Sequence, residues 1–126
     1  MRFLLIFTFL LSFNALAQDD ILAREYFKNG DFEKAATTYK KLYSKNSRNK
    51  TYLLQLVKAY QQLEKFKEAE TLLQDELTRY EYPQLIVELG RNYSLQNDTI
   101  NSKLNYDKAL LTIEHTPTNA YAVGRS

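Results

Sequence analysis

Apolar and small residues return along this chain at two nested spacings. Locally they fall three, four and seven residues apart, the stripe of an amphipathic helix. Over longer stretches a Leu, small residue, Tyr pattern recurs as Leu22-Ala23 with Tyr26, Leu56-Val57 with Tyr60, and Leu89-Gly90 with Tyr93, at intervals of 34 and then 33 residues. A period in that range marks helical hairpins, each of which buries its apolar face on the next. The stripes and the residues between them predict helices over about 19–29, 32–45, 50–63, 66–80, 84–96 and 99–114. The fold class is all-α, with three antiparallel helix-turn-helix units over 16–49, 50–82 and 83–116 and the start of a fourth over 117–126.

Counted from the first residue of each unit, position twenty holds Ala35, Ala69 and Ser102, and position twenty-four holds Tyr39, Leu73 and Tyr106. Small residues in such a column let two antiparallel helices approach closely. The turns differ in quality. Asn29-Gly30-Asp31-Phe32 has a Gly suited to positive φ and an Asp placed to cap the next helix. In Gln96-Asn97-Asp98-Thr99, Asn97 can take the left-handed position and Asp98 the cap. Leu63-Glu64-Lys65-Phe66 has neither residue type, so the least sharply defined turn is expected there. Ser44 to Asn49 reads as a polar connector, and Pro83 opens the third unit, where its missing N–H costs nothing.

These residues resemble the tetratricopeptide repeat family, whose units run Leu-Gly/Ala, Tyr, Gly, Ala, Phe/Tyr, Ala and Pro. Leu22-Ala23, Tyr26, Gly30, Ala35 and Tyr39 carry the likeness in the first unit. Tyr60, Ala69 and Leu73 carry it in the second, and Leu89-Gly90, Tyr93, Tyr106 and Ala109 in the third. The departures are Val57 and Glu64 in place of small residues, the absence of Trp, and the displaced prolines Pro83 and Pro117. The resemblance implies a right-handed superhelical solenoid that binds a protein or peptide along its concave face.

Composition narrows the function further. Three Gly and two Pro in 126 residues suit long helices better than a chain built of turns. A net charge of +2 supplies no field that would draw the protein to nucleic acid. With no Cys there is no disulfide, thiolate metal site or lipid-modified Cys. Arg2, the apolar run Phe3 to Phe13 and Ala15-Leu16-Ala17 together read as a signal peptide cleaved before Gln18. The alternative, an uncleaved anchor, has only about half the apolar length a bilayer span needs. The expected location is the periplasm or the secreted medium, with no integral membrane segment left after cleavage.

No constellation for catalysis appears. His115, the single His, falls at the end of the last full helix, where its cationic form suits the helix dipole. There is no phosphate loop, no His-based metal spacing and no activated Ser, so no catalytic residue, cofactor or metal is expected. Asn49-Lys50-Thr51, Asn92-Tyr93-Ser94 and Asn97-Asp98-Thr99 match the glycosylation triplet, which matters only in a eukaryotic secretory route.

One column of charge does stand out. Position nine of successive units holds Arg24, Lys58, Arg91 and Arg125. In the family that position faces the concave groove, so the resemblance implies a ladder of cations there. Around it the same register brings Phe27 and Lys28, Leu54 and Gln61, and Val87 and Leu95. Such a surface suits a peptide with acidic and apolar side chains. The leading reading is a non-enzymatic extracytoplasmic scaffold. Its alternative is the docking module of a longer, possibly enzymatic, protein of which this chain is an N-terminal fragment. Ala120, Val123 and Gly124 fall on positions four, seven and eight of a fourth unit that stops at Ser126. Either the array continues in a longer parent or this stub caps the third hairpin, and an uncapped end leaves self-association open.

Overall fold

The computed structural model describes residues 17–115, so the signal segment, Pro117 and the fourth-unit residues, Arg125 included, lie outside the described residues. Those that are described are all-α, with no strand. Helix α1 covers 17–28. It is followed by α2 (Phe32–Lys45), α3 (Lys50–Gln62), α4 (Phe66–Arg79), α5 (Pro83–Leu95) and α6 (Thr99–His115). Every expected helix is present, with ends within two residues of those the pattern predicts. The chain forms two compact units that divide between Leu63 and Glu64. The first holds α1, α2 and α3, and the second holds α4, α5 and α6.

In the first unit α2 packs on α3. Ala35, Ala36, Tyr39 and Leu42 form the buried stripe of α2, and Leu53, Leu56, Val57 and Ala59 that of α3. Tyr39 and Tyr52 meet across this pair with ring centroids 6.3 Å apart. Helix α1 adds Ala23, which is wholly buried, and Asp19, which pairs with Lys41 of α2 at 3.1 Å. Leu22, at the repeat position filled by the buried Leu56 and Leu89, is 45% exposed.

In the second unit α5 packs on both α4 and α6. Ala69 and Leu73 of α4, and Leu85, Ile86 and Leu89 of α5, form its core together with Ala109 of α6. Gly90 is what lets α6 come close. A Cβ built there would lie 2.9 Å from Cε1 of Tyr106 and 3.3 Å from the Ser102 carbonyl. Ser102 is buried opposite it, so the small-residue column performs the expected steric role.

The turns confirm part of the expectation and correct the rest. Gly30 has φ +78°, and N–H groups of Gly30 and Asp31 donate to the carbonyls of Phe27 and Tyr26, closing α1 with a Schellman motif. Asn97 has φ +60° and closes α5 in the same way, through Asn97 to Ser94 and Asp98 to Tyr93. Asp98 then caps α6 by accepting from the Asn101 N–H at 3.1 Å, and its hydrogen bonds from Asn101 hold its carboxyl below the usual range. Asp31 does not cap α2. Its side chain accepts no backbone N–H, and it reaches Lys34 at 3.6 Å instead. The turn expected to be least defined is also corrected, because Glu64 takes φ +58° at the place of Gly30 and Asn97. The left-handed residue is thus kept where the sequence lacks a residue that adopts it easily.

Candidate binding face on the first helix

Asp20, Arg24 and Lys28 lie four residues apart on α1, so one helix face presents all three. Asp20 and Arg24 form an ion pair at 3.1 Å, with the Arg24 side chain 65% exposed. Phe27 is half-buried and meets Phe32 edge-on, with centroids 5.3 Å apart and planes at 79°. These residues border a depression of about 210 Å³ whose other walls are Tyr39 of α2 and Thr51 and Gln55 of α3. The Asp20 carboxylate also faces the Tyr52 hydroxyl. Burial, then this negative charge, raises the Tyr52 phenol above its ordinary range and raises Tyr39 in the same way. Lys28 is exposed and makes no ion pair among the described residues.

The depression can therefore offer one unneutralised cation at Lys28 and an aromatic face at the half-buried Phe27, with the buried Tyr39 behind it. It also offers an Arg–Asp pair able to accept a carboxylate on one side and a donor on the other. Three of the residues expected in a groove, Arg24, Phe27 and Lys28, are brought together here. On α3, Leu54 and Lys58 are half-buried, and Gln61 is buried at 7% exposure with its side chain engaged. In the second unit Val87 is half-buried, whereas Arg91 and Leu95 are exposed.

The second unit has its own depression of about 350 Å³, bordered by Gln74, Leu77 and Thr78 of α4, Leu89 and Tyr93 of α5, and Asn105 and Lys108 of α6. On its wall the Tyr93 hydroxyl donates to Glu70 Oε1 at 2.9 Å. Burial, and then this bond to a carboxylate, pushes the Tyr93 phenol up to about 12. Asn92 beside it is fully buried, and its side-chain N–H donates to the Phe66 carbonyl at 2.9 Å, joining α5 to α4. Sequence reasoning missed this Asn, since its repeat position holds Glu25 and Ala59 elsewhere. Its burial also removes one glycosylation triplet, and the Asn49 side chain is occupied in accepting from Tyr52 N–H at 3.3 Å.

No group of three or more His, Cys, Asp or Glu side chains is placed to hold a metal ion among the described residues. None of the helices described is long and apolar enough to cross a membrane.

The hairpin period, the left-handed turns and the small-residue approach of α5 to α6 agree with a comparison of the sequence against protein families. The tetratricopeptide repeat family profile matches residues 26–75. This stretch is tetratricopeptide repeat sequence. A comparison with curated proteins finds no match. Tetratricopeptide repeats mediate protein–protein interaction and scaffolding as a class, and the helices described here have the all-α, repeat-like order of that family.

Proposed function

We propose that the chain is a non-enzymatic scaffold acting outside the cytoplasm, and that it holds a protein segment bearing acidic and apolar side chains. The observation that supports this reading is the α1 depression, where Lys28 and Arg24 stand beside Phe27 and Tyr39. An acidic side chain of the partner meets Lys28, an apolar one lies against Phe27, and Asp20 accepts from a neighbouring donor. Exposed charge contacts are individually weak, about 0–1 kcal/mol, so the aromatic contacts and several such pairs together set the affinity.

The test is a pull-down from periplasmic extract, with mass-spectrometric identification, using the wild-type chain and the Arg24→Glu, Lys28→Glu double variant. Both residues are exposed, so circular dichroism should report unchanged helicity. The expected outcome is a partner captured by the wild type and lost by at least tenfold in the variant. Equal capture by both would remove this face from consideration.

A further inference from the structure

Helix α6 differs from α2 and α4 on its outward side. At repeat positions eighteen, twenty-two and twenty-nine, α2 has Glu33, Thr37 and Ser44, all polar and exposed. Helix α4 has Lys67, Thr71 and Thr78 there, again polar and exposed. In α6 the same positions hold Ile100, Leu104 and Leu111, which are 75%, 60% and 56% exposed. These residues point away from the buried side of α6, which is marked by Ser102 and Ala109. They are therefore not the stripe that closes the unit's own core. With Asp107 between Leu104 and Leu111, the seam runs Ile100, Leu104, Asp107, Leu111 at steps of four, three and four, the spacing of a two-helix coiled-coil contact.

We infer that this seam is a self-docking surface, and that its occupant is α6 of a second copy of the chain, packed antiparallel. Charge on the seam selects this arrangement. Asp107 sits in the middle of the apolar line and is paired with Lys103 at 2.7 Å in its own helix. A parallel pairing would stack Asp107 on Asp107 of the second copy. An antiparallel pairing sets Ile100 opposite Leu111 and each Asp107 beside the second copy's Leu104, within reach of its Lys103. The carboxylate in mid-seam also disfavours a lipid surface, because an apolar bilayer would strip its water without supplying a cation. Three apolar side chains per helix make a small interface, so the association belongs to the weak class, on the order of tens to hundreds of micromolar.

Sedimentation equilibrium of the purified chain tests this over about 10 μM to 1 mM. The wild type should pass from monomer towards dimer across that range, and Leu104→Glu with Leu111→Glu should stay monomeric with unchanged helicity. Asp107→Lys alone should weaken association at least tenfold, and adding Lys103→Asp should restore it, since the complementary pair is then re-formed with its signs exchanged. Wild type that is monomeric throughout overturns the inference, as does a dimer that survives the Leu104, Leu111 double variant. Flotation with vesicles of phosphatidylglycerol and phosphatidylcholine that depends on Leu104 and Leu111, without dimer formation, would assign the seam to a membrane surface instead.

Discussion

Among the described residues three carry positive φ, and they are chemically unequal. Gly30 and Asn97 tolerate the conformation, whereas Glu64 at φ +58° places its Cβ against its own backbone. Glu64 is exposed, and its side chain makes no hydrogen bond or ion pair among the described residues, so no contact offsets the strain. Replacing Glu64 with Gly should therefore stabilise the fold by about 0.5–1 kcal/mol, the strain relieved being partly cancelled by the greater freedom of Gly in the unfolded chain. Gly30→Ala should do the reverse and cost about 1 kcal/mol. A Cβ at Gly30 meets nothing within 4 Å, so the loss there is purely conformational. Urea unfolding of both variants checks the pair of signs, and a destabilised Glu64→Gly would mean that Glu64 makes an interaction outweighing its strain. Gly30 and Asn97 were legible in the sequence because their residue types announce the left-handed state. Glu64 was not, because only the repeat register, and no property of Glu, points to it. Asp31 shows the opposite failure: a suitable residue in the cap position turns its carboxylate to Lys34 instead.

At the scale of the element, α5 is held by polar contacts that periodicity does not reveal. Its apolar stripe of Leu85, Ile86 and Leu89 was readable from spacing alone, and so was the small residue at Gly90. The bonds from Asn92 to Phe66 and from Tyr93 to Glu70 were not, because each depends on which face of α4 lies opposite. The Tyr93 bond makes stability depend on pH in a defined direction. Its phenol is pushed up from 10.0 to about 12 in the folded chain, so folding favours the protonated form. That contribution is fully present below the unfolded value and is lost as pH rises through the folded one. Stability should therefore fall between about pH 10 and 12, and more steeply than in the Tyr93→Phe variant. Tyr39 and Tyr52 are raised too, so part of the alkaline loss will persist in that variant. At pH 8 the same substitution should cost about 0.5–1.5 kcal/mol for the lost hydrogen bond. Denaturant midpoints measured at pH 8, 10 and 11.5 distinguish the two effects, and parallel curves for wild type and variant would show that the Glu70 contact does not govern the titration.

For the whole molecule, the repeat register foretold the helices but not how evenly their faces are covered. The family match spans 26–75, and the columns outside it are the ones that depart most: Leu22 is exposed at one end, and Tyr106 is 38% exposed at the other. Exposure depends on which element lies opposite a residue, which a column of residue types cannot show. The exposed line on α6 escaped notice for a related reason, since apolar residues all around a helix read as ordinary core until burial is known. The signal segment is the remaining whole-chain reading, and its chemistry makes a definite expectation. Cleavage after Ala17 would leave in the mature chain the Asp19–Lys41 and Asp20–Arg24 pairs and the buried Ala23. Expressed in full in a Gram-negative host, the chain should accumulate in the periplasmic fraction with a mature N-terminus at Gln18. Ala15→Arg with Ala17→Arg should block processing, because the peptidase accepts only small side chains at those two places. Intact mass and N-terminal sequencing of the fractionated protein decide it: a full-length chain recovered from the cytoplasm, with the variant indistinguishable from the wild type, would refute export and with it the extracytoplasmic part of the proposed function.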